Sequence, residues 1–377
     1  MKTDLAYKAD VAIVGGGIAG CTLAMALAPL YSVVLIDKLP EPVARVGECL
    51  APAARRILRK LDLLGGIVQQ PGATLYLPHP GTQSYWGSAS RHVVDHLRNP
   101  DGPGWHLDRR AFEAYLRKEA SERGVLCLWG AKLHSSHYEK GRWQLVTKSA
   151  DETEEDRIIP VTATFVADAG GRLSAFARQA GVHRTHFDRL VAHWGILPDR
   201  EEIRMSTISA AAAGWWYSAP VPGNKRVIAL HTDPDLVDRR AVKEAGWFIN
   251  AAKGNLEMAK IVAAADGDVQ YCGVVAANST RLSQVAGKQW AAIGDAAMSF
   301  DPLSSQGMFN AMAGALQLSE LLLSGERALD HPEHTEYIQA EYGLQMDRIW
   351  DRYVQHKHLF YAQEQRWKDA TFWQRRC

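Results

Sequence analysis

An α/β fold is predicted, in which a parallel-stranded domain is interrupted by an antiparallel sheet and followed by a helical tail. Three observations carry this expectation. Residues 11–37 read as strand, glycine turn, helix, strand and acid; residues 162–181 repeat the strand, glycine turn and helix; and the blocks around 72–98 and 186–245 alternate apolar with polar residues.

In VAIVGGGIAG the GxGxxG pattern falls on Gly15, Gly17 and Gly20. Gly15 makes the tight turn, Gly17 lets a pyrophosphate approach the backbone, and Gly20 lets the helix pack on the strand. The helix CTLAMALAPL opens with unpaired N–H groups and the positive end of its dipole aimed at phosphate. Asp37 closes the next strand, YSVVLID, where a carboxylate accepts from an adenosine ribose and disfavours a 2′-phosphate. Glycines also cluster in bare turns, but the strand, helix and acid together favour a dinucleotide site. Val11 to Ile36 carries no charge and has the length of a membrane span. Three consecutive glycines, Pro29 and the β-rich VVLI argue against one continuous helix, and no cleavage site for a signal peptide follows. A cytoplasmic protein with no membrane span is expected.

A chain of 377 residues exceeds the usual single domain, so two interleaved domains are expected. With 43 basic and 42 acidic residues the net charge is +1, which supplies no global field for nucleic acid or an anionic membrane. Cys21, Cys49, Cys127, Cys272 and Cys377 show no CxxC and no pairing rhythm, as reduced thiols do. Cys49 reads as a small buried residue. The close histidine pairs, 183 with 186, 331 with 334 and 356 with 358, lack cysteine or carboxylate partners at ligand spacing, so no metal is expected. SADETEEDR, 149–157, reads as a solvated hairpin.

Taken in order, residues 41–64 start as a loop, which places Arg45 and Glu48 beside the nucleotide, and become an amphipathic helix from Pro52 with Ile57, Leu58, Leu61 and Leu64 on one face. Residues 72–98 read as short antiparallel strands. Residues 104–124 form a helix capped by Asp108, with Phe112, Leu116 and Ala120 buried. Arg109 in its first turn opposes the dipole and calls for an anionic partner, such as a cofactor phosphate. Residues 125–148 give two or three strands; the next strand ends at Asp168, an acid suited to a hydroxyl-bearing ligand, and Ser174 heads a helix. Strands fill 186–245, and 247–265 is helical. In 288–326 a strand delivers Gly294 and Asp295, which could accept from ribityl hydroxyls. A helix then starts near Gln306, its N-terminus at Gly307 and Met308 suited to negative charge on a reduced flavin. The segment 333–377 is helical and aromatic, suited to packing on the core or to shaping a partner surface.

VGGGIAG with Asp37, RVGE at 45–48, LDRRAF at 107–112, DAGGRLS at 168–174 and GDAAMSFDPLSSQG at 294–307 together resemble the flavoprotein monooxygenase superfamily of aromatic hydroxylases, geranylgeranyl reductases and tryptophan halogenases. The likeness spans about residues 10–325. It implies a Rossmann-like FAD domain of glutathione-reductase type with an inserted antiparallel substrate sheet. Gly15, Gly17, Gly20 and Asp37 would hold the adenosine and pyrophosphate half of FAD. Arg45, Glu48, Arg109, Asp168 and Asp295 would help to hold the cofactor, with Pro302 to Met308 against the isoalloxazine. The implied division is an FAD domain over 1–75, 100–185 and 270–330, a substrate domain over 76–99 and 186–269, and a helical segment over 331–377. Halogenases carry GWxWxIP and an essential lysine; this chain has GWWYSAPVP at 214–222 and no lysine between Lys60 and Lys118, which argues against halogenation.

TQSYWGS, GWHLDR, FDPLSSQG and RWKDATFWQRR are similar to flavoproteins encoded beside quinone-cofactor amino-acid oxidases. That resemblance implies hydroxylation of a tryptophan in a precursor protein as cysteine tryptophylquinone forms, with NADH or NADPH as electron donor and O2 as co-substrate. The flavin would carry the chemistry, and no catalytic side chain is assigned. Trp86, Trp216, Tyr217 and His231 are candidates to line the pocket. Two alternatives remain open: a monooxygenase or dehydrogenase of a free aromatic or isoprenoid compound, and a non-catalytic flavin-binding maturation chaperone.

Overall fold

The computed structural model describes residues 6–68, 75–149, 158–200, 204–238, 240–243, 246–266, 268–324, 329 and 331–376. The apolar VAIV run becomes the middle of a sheet because both of its faces are covered: Val11, Ala12 and Ile13 are 0% exposed. Parallel strands buried on both sides lose the alternation of a half-exposed strand and read as continuous apolar runs.

This main sheet has the order β19 (Ala286–Gly287), β20 (Trp290–Ala292), β11 (Ile158–Asp168), β1 (Tyr7–Val14), β2 (Val33–Asp37) and β8 (Leu126–Trp129). From β20 to β8 the pairings are parallel. β10 (Arg142–Ser149) pairs antiparallel with β11 and with β9 (Ala131–Glu139). The connection between β10 and β11, read from sequence as a hairpin, lies outside the described residues apart from Ser149. Helices α1 (Ile18–Leu27) and α8 (Gly307–Leu323) pack on each other, and Tyr31 Oη donates to the Leu322 carbonyl at 2.9 Å.

The second large sheet runs β17 (Gln270–Ala276), β13 (Val191–Pro198), β16 (Lys225–Thr232), β15 (Gly214–Val221), β14 (Ser206–Ala211), β5 (Gly81–Tyr85) and β6 (His92–Asp95). Its pairs are antiparallel except β14 with β5. A small sheet, β3 (Cys49–Leu50), β7 (Gly104–Leu107) and β4 (Tyr76–His79), lies at their junction, and another joins β12 (Arg184–His186), β18 (Thr280–Leu282) and β21 (Met298–Ser299).

The helix expected from Asp108 is α4 (Arg109–Glu122); the Asp108 carboxylate accepts from the Ala111 N–H at 3.0 Å. Phe112, Leu116 and Ala120 are 0% exposed. α5 (Ala175–Gln179) follows Ser174. Two expected helices are each broken in two. The first divides into α2 (Ala54–Lys60) and α3 (Leu64–Val68), because Asp62 takes a left-handed conformation with φ 53° and the Leu63 N–H turns back to the Leu58 carbonyl. The second divides into α6 (Trp247–Lys253) and α7 (Leu256–Ala264), where the Asn255 side chain caps the new start by accepting from the Glu257 and Met258 amides. The C-terminal segment is helical as expected, with α9 (Pro332–Ala362) and α10 (Thr371–Gln374). Tyr361, Phe372 and Trp373 are fully buried against Trp215, Ala192 and Ala219 of the second sheet. No helix among the described residues is long and apolar enough to cross a membrane.

Candidate active site

A cleft of about 700 Å³ runs from the carboxyl ends of β1, β2 and β11 to one face of the seven-stranded sheet. Open parallel sheets bind ligands at that edge because the strand ends leave a crevice there.

At the first end the backbone makes the site. Gly15 has φ 116°, and a Cβ there would fall inside the Ala169 carbonyl. Gly20 does not line the cleft; a Cβ on it would strike the Gly15 carbonyl, so its role is close packing of helix on turn. Gly17 has open space beside it and stands at the N-terminus of α1, where no side chain caps the free amides. α8 starts the same way: Gln306 offers no capping side chain, Gly307 has open space, and Gly307 and Met308 line the cleft. Two uncapped helix starts therefore open into one cleft, each with amide donors and a positive dipole end. Such a cradle fits a pyrophosphate at one start and a ring that gains negative charge on reduction at the other.

Asp37 lines the cleft, with Oδ2 accepting from the Gly16 N–H at 2.6 Å and Oδ1 from the Leu39 N–H at 2.7 Å. Arg117, which the sequence reading did not single out, holds this turn. It lies 3.2 Å from Asp37, donates to the Gly16 and Leu39 carbonyls at 3.0 and 2.9 Å, and its guanidinium sits 4.4 Å above the Trp129 ring. Its only sequence signal is its place on the buried face of α4, next to Leu116.

In the middle of the cleft are Arg45, Arg109, Arg172, Asp295 and Pro302. Arg109 has an anionic partner within the protein, Glu113 at 2.6 Å, and also donates to the Gly47 carbonyl at 2.6 Å, so its charge does not depend on a ligand. Arg172 Nε lies 3.8 Å from Asp295. Two expected ligand residues are placed differently. Asp168 is fully buried, outside the cleft wall, and spends its oxygens on the Gly170, Phe176 and Ala177 N–H groups; it shapes the turn and caps α5. Glu48 is buried behind the wall and accepts from the Gly47 N–H at 3.0 Å. Burial pushes its carboxyl up, while the nearby Tyr217 phenol opposes that shift. Glu48 Oε1 and Tyr217 Oη each lack a partner in hydrogen-bond geometry.

The far end is an aromatic wall. Tyr217 and His231 line it, together with Trp194, Ile208 and Val275. Trp215, missed by sequence reading, is the second tryptophan of the wall: its ring stacks on His231 with centroids 3.7 Å apart and planes 5° from parallel. Trp216 points the other way, into a core with Ile228 and Phe248, because neighbouring residues of a strand alternate faces. Trp86 also stands outside the cleft; its indole donates to the Phe360 carbonyl at 2.8 Å and packs edge-on against Trp215, Tyr361 and Trp373. Burial pushes the His231 imidazole down to about 3, so it is neutral at physiological pH. Trp215 Nε1 donates to Tyr361 Oη at 3.1 Å, and Tyr361 donates to buried Asp301 Oδ2 at 2.8 Å. Of the described cleft residues only Lys38 and Lys132 are lysines, and both stand at the nucleotide end.

Histidine spacing gave no reason to expect a metal group, yet the fold brings Cys49, His79 and His106 together beside the cleft. Cys49 lines the cleft as well.

A family profile described as an FAD binding domain matches residues 8–330. The chain is 28% identical over 373 residues to LodB of Marinomonas mediterranea, a protein named for FAD-dependent oxidoreductase activity, covering 97% of this chain and 96% of that one. It is 24% identical over 363 residues to the flavin-dependent halogenase armH3 of Armillaria mellea, covering 87% and 69%. Among solved structures, the myxobacterial chondrochloren halogenase CndH superposes with a TM-score of 0.83 at 21% identity, over 98% of this chain and 86% of that one. The peptidyl tryptophan dihydroxylase QhpG, described as essential for tryptophylquinone cofactor biogenesis, superposes at 0.75 with 21% identity, over 98% and 78%.

Proposed function

The chain belongs to the FAD binding domain family and is an FAD-dependent oxidoreductase; from that premise we propose that it is a monooxygenase that hydroxylates a tryptophan side chain of a precursor protein, the future cysteine tryptophylquinone of a partner amino-acid oxidase. The observation that carries this reading is the cleft itself. One half offers two uncapped helix starts, and the other is an aromatic, lysine-free wall with exposed residues such as Leu173 and Val275 at its margin. An open margin admits a side chain carried on a polypeptide, and a neutral aromatic wall suits an indole ring. The match to LodB over 97% of this chain supports the FAD-dependent oxidoreductase, and the fold shared with the peptidyl tryptophan dihydroxylase QhpG supports a tryptophan as its target.

Bound FAD would supply the redox chemistry, taking two electrons from NADH or NADPH and reacting with O2. The balance is indole C–H plus O2, reduced nicotinamide and a proton, giving indole C–OH, water and oxidised nicotinamide. The chain's own residues position and insulate. Asp37, anchored by Gly16, Leu39 and Arg117, receives ribose hydroxyls; the α1 amides receive phosphate oxygens; Arg45, Arg109 and Asp295 flank the middle of the cofactor. The α8 N-terminus favours negative charge on the ring system. Trp215, Tyr217 and neutral His231 would hold the indole by ring contact, in a wall with no lysine among its described residues.

The test is mass spectrometry of the candidate precursor, expressed in air with and without this protein. A gain of one or two oxygen atoms on one tryptophan, absent with Asp295→Ala, is the expected result. If the precursor is unchanged while the protein retains FAD and reductant-dependent O2 uptake, the substrate is a free aromatic or isoprenoid compound instead. If a folded Asp295→Ala protein without FAD still supports maturation, the role is that of a chaperone.

A further inference from the structure

The small sheet β3–β7–β4 carries three side chains on one face that are hard to account for as packing. Cys49 on β3 is the register partner of His106 on β7. His79 on β4 stands two residues beyond Leu77, the other register partner of His106, so the two-residue period of a strand turns all three the same way. Their sulfur and nitrogen ligand atoms lie within 4.8 Å of one another. Cys49 Sγ is 3.3 Å from His79 Nδ1.

His106 is the anomaly. It is 0% exposed, and neither ring nitrogen has a hydrogen-bond partner. A neutral imidazole has a donor and an acceptor, and leaving both unpaired in an interior is costly enough that native proteins rarely do it. His79 is arranged in the opposite manner, with one nitrogen already engaged. Its Nε2 lies 3.1 Å from Ser206 Oγ, which is 2.8 Å from Thr82 Oγ1, while Nδ1 is turned toward the thiol. Fixing one ring nitrogen by a hydrogen bond to leave the other for an ion is how metal-binding histidines are held. A Cβ on Gly104 would strike the Leu50 carbonyl at 2.7 Å and stand 3.3 Å from His79 Nδ1, so the glycine allows β3 and the His79 ring to approach β7 closely.

We propose that Cys49, His79 and His106 bind one zinc ion. One sulfur and two imidazole nitrogens suit a borderline-soft, four-coordinate cation and not magnesium or calcium, which prefer oxygen. Binding sends the thiol proton of Cys49 to solvent and involves no change of oxidation state. Three protein ligands leave a fourth position for water or another donor. The ion cross-links three strands that carry the cofactor side of the cleft: β3 follows the Arg45 loop directly, and β7 leads into α4 and Arg109. It therefore holds both arginines in place from behind.

The full chain, loaded with FAD, is stripped with a chelator and titrated with zinc and, separately, with cobalt(II). One tightly held zinc per chain is expected, together with a cobalt spectrum showing the near-ultraviolet thiolate band and tetrahedral visible bands. Cys49→Ser and His106→Ala should abolish stoichiometric zinc, and Ser206→Ala should weaken zinc by about 10- to 100-fold through the orientation of His79. The proposal is overturned if the wild-type chain takes up no stoichiometric zinc, if cobalt binds without the thiolate band, or if Cys49→Ser binds zinc as tightly as the wild type. Should the ligand variants fail to fold, the wild-type cobalt spectrum decides alone: the thiolate band supports the site and its absence overturns it.

Discussion

The two ends of the cleft are built from different materials. The nucleotide end is backbone: Gly15 at φ 116°, Gly17 without a side chain, two bare helix starts, and a carboxylate locked by amide donors. The substrate end is side chain: Trp215 stacked on His231, held from behind by Tyr361 and Asp301. A backbone site tolerates little change, because its donors move only if the chain moves. A side-chain wall can be rebuilt one ring at a time. On the proposed function, the first end accordingly offers a generic chemistry and the second a choice of substrate.

The strongest way to break this comparison is Gly15→Ala. It forces a side chain into a left-handed turn and against the Ala169 carbonyl. A loss of roughly 3 kcal/mol or more is expected, with loss of FAD, read by thermal unfolding and flavin absorbance. Retained flavin at an unchanged melting temperature would show that the turn is not backbone-limited.

Next comes the pH response of the wall. His231 is held near 3 by burial, against 6.5 ordinarily, so the unfolded chain takes up a proton as pH falls through 6.5 while the folded chain stays neutral. Its share of stability is complete above pH 6.5 and is lost progressively between there and about pH 3. Between pH 6.5 and 5 the wild type should lose about 2 kcal/mol more than His231→Phe, since each pH unit is worth about 1.4 kcal/mol. Parallel denaturation curves for the two proteins would refute a neutral buried His231.

Tyr361→Phe strips the hydrogen bonds from Trp215 Nε1 and Asp301 Oδ2 at once. A cost of about 1–3 kcal/mol is predicted, with full FAD content, because the lesion lies on the substrate side. Flavin loss in step with stability would join the two ends into one unit. The smallest effect is expected for Tyr217→Phe. Its hydroxyl lies beside Glu48 without a well-formed hydrogen bond, so stability should change by less than about 1 kcal/mol and kcat/KM should respond.

The same contrast explains what could be read from the chain beforehand. The Gly15–Asp37 run is local, with turn, helix start and acid within one stretch, so elementary stereochemistry ties its parts together. The wall is not local. Whether Trp215 or Trp216 faces the cleft is a question of strand parity, settled by pairing with His231 and by the Phe248 core behind Trp216. Asp168 shows the converse difficulty, since an acid that closes a strand before a glycine turn looks the same whether it meets a ligand or caps the next helix. Cys49, His79 and His106 escaped notice because metal-ligand spacing is a local signal, and only the register of three strands joins them. Arg117, like Glu113 one turn before it, is a charged residue on the buried side of α4, and only its partners, Asp37 and Trp129, account for it.

The path from Trp215 through Tyr361 to Asp301 has a bearing on how such proteins diverge. Tyr361, Phe372 and Trp373 reach the wall from helices with no described residue on the cleft surface, so substitutions there can tilt or shift Trp215 indirectly. On the proposed function, the choice of substrate can thereby be altered through residues that stand outside the cleft. The helical tail is, in that sense, an adjustable backing for a wall whose cleft-facing surface it does not itself supply.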